Sequence, residues 1–200
     1  MTGARRSIPQ NVQLFIVRNL IWAILIFVFL VFSLALPNFF TLQNVHFILY
    51  VASAIGLLVF AESFVLISGS MDLSIAHIAG LSSMLAGAVT IQWLPFLPGW
   101  TGVILIVLFG ALLGSVNGFF VGRVGINPFL VTLSTFLMYN WLTFSINRGA
   151  ITNVSPALVF LGGGQVLGIF FAIPVMLAVC LLLGFILTRT RFGGYVQAMG

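Results

Sequence analysis

Six predominantly apolar stretches, near residues 19–36, 46–67, 74–94, 101–121, 128–147 and 166–188, divide the chain. Each comes close to the ~20 residues that a helix rising about 1.5 Å per residue needs to cross about 30 Å of hydrocarbon. Backbone in lipid must satisfy its own hydrogen bonds, so runs of this length specify spanning helices. The breaks between them hold turn chemistry: Pro37-Asn38, Ser68-Gly69-Ser70, Pro95 with Pro98-Gly99, Gly125-Ile126-Asn127-Pro128, and a longer polar segment from Arg148 to Gln165. The expected fold is an all-α polytopic transmembrane helical bundle with about six spanning helices.

Charge enters the argument mainly through where it is spent. Charged residues make up 4% of the chain and hydrophobic residues 62%, whereas soluble domains carry roughly 25% charged residues. That excludes a soluble enzyme, a disordered chain and a disulfide-stapled module. The one cysteine, Cys180, lies in an apolar run and has no internal partner for a bridge. The net charge of +5 comes from seven arginines without any lysine, placed singly or in pairs. This is not a phosphate-binding patch, and no nucleic acid is expected.

The first stretch follows a basic leader, but its mainly apolar run, 19–36, is 18 residues long and exceeds the usual ~7–15 of a signal-peptide core, so it reads as a retained helix. With the N-terminus in the cytoplasm, Arg5, Arg6, Arg18, Arg123, Arg189 and Arg191 fall inside and Arg148 outside. Six against one fits the excess of positive charge on cytoplasmic loops. Alternation would place the 68–73 turn on the cytoplasmic side, although it holds no arginine to mark it.

Two stripes of small residues suggest close helix packing: Gly110, Gly114, Gly118 and Gly122 in the fourth span, and Ala76, Gly80, Ser83 and Gly87 in the third. Polar residues inside a membrane are costly and point more directly at function. Thr132, Thr135, Tyr139 and Thr143 fall on one face of the fifth span, with Asn140 on a neighbouring face. Such a face would serve a neutral polyhydroxylated solute, or its hydroxyls would bond back to the preceding turn or across to another helix. Glu62 is the one acidic residue deep in an apolar run. It would line an aqueous path, pair with an arginine, carry a proton or make a structural hydrogen bond. Asp72 precedes the third span and is expected to cap it. His77 reads as a packing residue, and His46 sits at a helix start. No metal-ligand spacing, nucleophile with a base, or phosphate-cradling loop with its lysine is evident, so no enzyme activity, cofactor or metal is expected of the chain itself.

Three segments resemble one family, the membrane subunits of bacterial ABC sugar importers of the ribose, xylose and galactose type. Glu62 to Gly87, "ESFVLISGSMDLSIAHIAGLSSMLAG", resembles its apolar helix, Ser-Gly-Gly-hydrophobic-Asp-Leu-Ser turn and small-residue helix. Gly114 to Phe136, "GSVNGFFVGRVGINPFLVTLSTF", is similar to its Asn-Gly helix end, short basic loop and Asn-Pro-Phe helix start. Thr188 to Gly200, "TRTRFGGYVQAMG", resembles its cytoplasmic segment that docks on the ATPase. The matches come in family order and cover most of residues 50–200. The chain departs from the pattern at Ser70, where a second glycine is usual, at Ala76 and His77, and at Gly194, where a basic residue is common.

The resemblance implies a permease subunit, 1–200 forming one transmembrane permease domain that is the N-terminal part of a larger fold and incomplete at its C-terminus. Its function would be ATP-driven, binding-protein-dependent import of a monosaccharide or related polyol across the inner membrane. The implied partners are an ABC ATPase subunit, a periplasmic or extracellular sugar-binding protein and a second permease subunit in a homo- or heterodimer, all set in membrane lipid. Arg191, Phe192, Gly193, Tyr195 and Ala198 would couple to the ATPase. Asp72, Ser74, Asn117, Asn127, Pro128 and Thr132 match family positions. With Glu62, Thr135, Tyr139 and Asn140, the residues Asp72, Asn117, Asn127 and Thr132 form the expected substrate pathway. The rival readings are a secondary transporter with Glu62 as ion or proton carrier, and a membrane scaffold that transports nothing.

Overall fold

The computed structural model describes residues 10–200. Arg5 and Arg6 lie outside the described residues. Among the described residues, eight α-helices and one short hairpin follow one another: α1 (Gln10–Ala35), α2 (Leu42–Ile67), α3 (Ile75–Gly87), α4 (Thr101–Phe119), α5 (Pro128–Ile146), α6 (Pro156–Gly163), β1 (Gln165–Val166), β2 (Ile169–Phe170), α7 (Ala172–Arg189) and α8 (Arg191–Met199). π-helical turns extend α3 through Ala88–Trp93 and α4 through Phe120–Val124. Six helical spans among the described residues are long and apolar enough to cross a membrane: Val17–Ala35, Leu42–Ile67, Ile75–Trp93, Thr101–Val124, Pro128–Ile146 and Ala172–Arg189. This is the all-α polytopic arrangement that the apolar runs dictate. Chains of exposed apolar side chains, such as Trp141 and Phe144 on α5 and Leu181 and Phe185 on α7, face outward as lipid-facing surfaces do.

The largest displacement from the sequence reading is at the sixth span, expected from 166 and found from Ala172. The preceding polar stretch is not a plain loop, because it folds into α6 and the hairpin. Leu167 and Gly168 both take left-handed backbone, at φ 54° and 80°, as a two-residue hairpin turn requires.

The contacts divide the chain into a unit running to Ile48 and a unit Leu49–Gly200. In the first, the connection between α1 and α2 is folded on itself: Asn44 donates from Nδ2 to the Phe39 carbonyl at 2.7 Å, and Phe39 packs edge-on to Phe29. In the second, α3 is the central helix, packed on α4 and α5. Its buried side includes Ser74, Leu81, Ser82 and Ala86, and α5 contributes Val131, Thr132, Thr135 and Tyr139.

The small-residue stripes behave differently from expectation. At Gly110 a Cβ would lie 3.6 Å from Ser82 Oγ, an ordinary contact between α4 and α3. At Gly114, Gly118 and Gly122 it would meet no heavy atom within 4 Å among the described residues. Ala76, Gly80 and Ser83 are also exposed, and only Gly87 of that stripe is buried. Helical spacing defines a face, but it does not say what that face meets.

Each end of the second unit is tied in its own way. At one end the α2–α3 turn touches α8: Gly69 approaches the Gly200 Cα and Gly200 approaches the Ile67 carbonyl. At that end also lie the π turn that carries Arg123 and the end of α7 at Arg189. The 68–73 turn thus shares a side with Arg189 and Arg191, as alternation of single crossings requires. At the opposite end Ser155 Oγ donates to the Gly99 carbonyl at 3.0 Å, and Tyr50 stacks on Phe170 with ring centroids 4.4 Å apart.

Candidate functional site

Where α2, α3, α4 and α5 meet near the α8 end, their polar side chains form one connected node. Asp72 N–H donates to Glu62 Oε1 at 3.2 Å, linking the turn back to α2. Asp72 Oδ1 then accepts from Ser74 N–H at 2.8 Å and from Ser74 O–H at 2.7 Å. Asn117 on α4 donates from Nδ2 to Ser74 Oγ at 2.7 Å. Thr132 on α5 contributes a longer bond to the Met71 carbonyl, 3.4 Å, and another to the Phe129 carbonyl at 3.5 Å. The turn can adopt this path because Gly69 sits at φ +77°, where a Cβ would be strained. Ser70 lies outside the left-handed region and donates its N–H to the Val65 carbonyl, so the backbone has no need of a second glycine there.

Asp72 does help to start α3, although not as a side-chain cap of its first helical N–H groups. Its carboxylate holds Ser74, the N-cap residue, one step earlier. Asn127 is an N-cap in the full sense: its Oδ1 accepts from Phe129 N–H at 2.9 Å, with Pro128 at the first helical position. Gly125 at φ +80° ends the preceding π turn and makes room for that cap.

The hydroxyl face of α5 is turned into the protein. Thr135 donates to the Val131 and Thr132 carbonyls, Thr143 to the Tyr139 carbonyl, and Tyr139 O–H across to the Leu113 carbonyl of α4 at 3.0 Å. Three of these are bonds within the helix itself, which satisfy a hydroxyl in apolar surroundings. Asn140 is half-buried beside them. His77 packs edge-on against Phe136 of α5, with centroids 4.1 Å apart. Between α5 and the segment that follows α4, an open pocket of about 310 Å³ is lined by apolar residues such as Phe120, Leu130 and Met138. Ser134 and Thr135 also line it, but both donate to carbonyls of their own helix.

The second cluster is α8. Thr190 caps it, its Oγ1 accepting from Gly193 N–H at 3.2 Å, and Gln197 Nε2 donates back to the Leu187 carbonyl at 2.7 Å. Gly193 is buried so tightly against the Leu187 and Ile186 carbonyls that a Cβ would collide with them. Val196 is buried on the same side. Phe192, Tyr195 and Met199 recur at spacings of three and four and stay 60%, 69% and 67% exposed. Arg191, Gly194 and Ala198 are exposed as well. Of the five residues expected to couple to a partner, Gly193 therefore anchors the helix, whereas Arg191, Phe192, Tyr195 and Ala198 are accessible.

Sequence reasoning missed Gln197, the Met71 carbonyl, and Ser74 as the hub of the node. A lone glutamine or serine carries no periodic signal.

Residues 44–200 match the family described as the permease component of the branched-chain amino acid transport system. The chain belongs to this permease family. It is similar to the L-arabinose ABC transporter permease protein AraH of Azospirillum brasilense, 33% identical over 92% of this chain and 53% of that protein. It is also similar to the D-allose transport system permease protein AlsC of Escherichia coli, 29% identical over 96% of this chain and 59% of the relative. The fructose import permease protein FrcC of Rhizobium meliloti is 31% identical over 82% of this chain and 47% of its own length. The chain thus spans about half the length of these curated relatives. No solved structure matches it. Family membership and six apolar spans together make this a multi-pass membrane protein of the permease class.

Proposed function

We propose that the chain is part of the membrane-spanning permease of an ATP-driven importer that receives a monosaccharide or related polyol from a soluble binding protein. The observation that carries this reading is α8: a short helix anchored rigidly to the last span, yet presenting Phe192, Tyr195 and Met199 outward. Such a face suits a protein partner, because exposed apolar side chains beyond the end of a span gain by burial against another surface. The partner we assign is the ATPase subunit, so that ATP is hydrolysed there and this chain is not itself the enzyme. A second permease subunit, identical or different, completes the pathway.

The sugar assignment is supported by the relatives, whose names refer to arabinose, allose and fructose. We place the protein in the inner membrane with its N-terminus in the cytoplasm. Arg123, Arg189 and Arg191 at the α8 end against Arg148 beyond the opposite end of α5 support that orientation. Alternating access would follow from differential binding of α8 to nucleotide states of the ATPase. Among the expected pathway residues, Thr132 and Tyr139 act in this proposal by holding α5 to its neighbours, and the Thr135 hydroxyl is satisfied within α5 itself. Glu62, Asp72, Asn117 and Asn127 shape the α8 end, and Asn140, half-buried on α5, is left as a polar group for solute.

Uptake of labelled arabinose, allose, ribose and fructose in cells carrying the intact permease tests the reading. Uptake of one sugar that stops when the ATPase is disabled, but survives an uncoupler, is the expected result. Uptake that collapses with the uncoupler and ignores the ATPase would replace this reading with an ion-coupled transporter.

A further inference from the structure

The end of the unit Leu49–Gly200 that lies away from α8 carries almost no charge. Glu62, Asp72, Arg123, Arg189 and Arg191 all belong to the α8 end, which leaves Arg148, just past α5, as the one charged residue of the unit opposite. The connection between the third and fourth spans goes further. From Trp93 to Trp100 it reads Trp-Leu-Pro-Phe-Leu-Pro-Gly-Trp, with no charged, hydroxyl or amide side chain. Surface connections in water are built mainly from polar residues, glycine and proline, and a contiguous apolar patch there marks a contact.

These side chains are not folded away. Phe96 in the middle of the connection is 78% exposed, and Trp93, Leu94 and Trp100 are exposed around it. The β1–β2 hairpin makes a second apolar projection at the same end: Leu167 in its turn is 97% exposed, flanked by exposed Val166 and Ile169. Both projections are held in place. Leu94 N–H donates to the Val89 carbonyl at 2.7 Å and Leu97 N–H to the Leu94 carbonyl at 3.1 Å, while Pro95 and Pro98 have no N–H to satisfy. Thr101 donates its N–H and its O–H to the Pro98 carbonyl, at 2.9 and 2.7 Å. Ser155 Oγ takes up the Gly99 carbonyl, and Phe171 N–H closes the base of the hairpin on the Gly164 carbonyl at 2.8 Å. Backbone groups met internally in this way have less need of water.

The tryptophans point to what covers this end. All three in the unit, Trp93, Trp100 and Trp141, are exposed and lie toward it: Trp93 closes the third span, Trp100 precedes the fourth, and Trp141 stands five residues before the end of α5. Tryptophan gathers where its apolar ring meets acyl chains and its N–H meets headgroups. The apolar surface is also continuous with the lipid-facing side of α5, which carries Trp141 and Phe144. A soluble protein partner would more commonly be met with a polar rim and hydrogen-bonding side chains, which Leu94 to Gly99 do not offer.

We infer that the Trp93–Trp100 connection and the hairpin tip are seated in the lipid surface, with Phe96 and Leu167 reaching below the headgroups. Anchors on both sides of one short connection would set the tilt of the third and fourth spans. This assignment rests on the chain being a multi-pass membrane protein and holds whatever it transports.

The test uses the intact permease in vesicles of phosphatidylcholine and phosphatidylglycerol. Cys180→Ser removes the native thiol, and a nitroxide label is attached at Phe96→Cys, Leu167→Cys or Thr152→Cys. Thr152, exposed in the polar connection after α5, is the water-facing reference. Power-saturation electron paramagnetic resonance compares collisions with oxygen, which concentrates in lipid, and with a nickel chelate, which stays in water. The oxygen-to-nickel collision ratio is expected to be about threefold or more higher at positions 96 and 167 than at 152. A second readout leaves the connection's native side chains in place: lipids brominated near the headgroup should quench tryptophan fluorescence more than lipids brominated near the chain end. That excess should shrink in the double variant Trp93→Phe, Trp100→Phe. A label at position 96 as open to the nickel chelate as the one at 152 would overturn the assignment. So would a label closed to both reagents, which marks a contact with the rest of the permease or a second subunit, or nickel access that is lost only when a soluble binding protein is added.

Discussion

The two ends of the unit Leu49–Gly200 are built on different principles. At the α8 end, side chains from α2, α4 and α5 converge on one turn through a chain of hydrogen bonds: Glu62, Asp72, Ser74, Asn117 and Thr132. At the opposite end the connections are mainly steric and apolar. Leu158 lies over Gly102, Ile151 over Gly87 and Met176 beside Gly56, and Tyr50 stacks on Phe170. Apolar contacts in gaps left by glycine tolerate small sliding, since each atom pair contributes little. A charged, hydrogen-bonded node has discrete states and responds to whatever changes its charge or geometry. In the proposed importer, the end that carries α8 would be the one to respond to a partner.

This contrast can be broken in graded steps. The largest effect is expected at the root of α8. Gly193→Val would drive a branched side chain into the Leu187 and Ile186 carbonyls, so α8 could not keep its seat on α7. Uptake by the intact permease should fall at least tenfold, while cysteine-accessibility mapping of α3, α4 and α5 stays unchanged. In the node, Asn117→Leu removes the donor to Ser74 and buries no replacement. Loss of one buried partner is expected to cost about 1–3 kcal/mol, read as lower thermal stability in detergent.

At the other end, Gly102→Ala places a methyl 2.8 Å from Leu158 Cδ1, the tip of a flexible side chain that can shift. Its cost should be about 1 kcal/mol or less, since overpacking is tolerated where a neighbour gives way. The smallest effect is expected for Tyr139→Phe, which removes only the bond to the Leu113 carbonyl. Hydrogen bonds between membrane helices average about 0.6 kcal/mol, so its thermal shift should be the least of the four. A glycine-end substitution that destabilised more than Asn117→Leu would invert the comparison.

Some of this was legible in the sequence because lipid imposes one dominant rule. A run of about 20 apolar residues signals a span whatever its neighbours are, and the six spans follow. The hairpin at Gln165–Phe170 escaped because two-residue strands have no periodicity to detect. The node was only partly legible. Glu62 was singled out by its cost in an apolar run and Asp72 by its place before the third span, but their meeting, and that of Ser74 with Asn117 across a sequence separation of 43, are matters of tertiary structure. The hydroxyls of α5 showed their common face in the sequence, whereas their use inside the protein depended on where α4 lies. On α8 the spacing of Phe192, Tyr195 and Met199 was readable, but the burial of Gly193 followed only from the sharp turn at Thr190.

The central claim is that α8 is the docking surface for an ATP-hydrolysing subunit. It is tested most directly by purifying the tagged, intact permease from native membranes in mild detergent and identifying by mass spectrometry what accompanies it, beside a Tyr195→Glu variant of equal abundance. The account predicts an ABC ATPase with the native protein, reduced at least tenfold in the variant. An ATPase retained equally by both, or found with neither under conditions that preserve other membrane complexes, would contradict it.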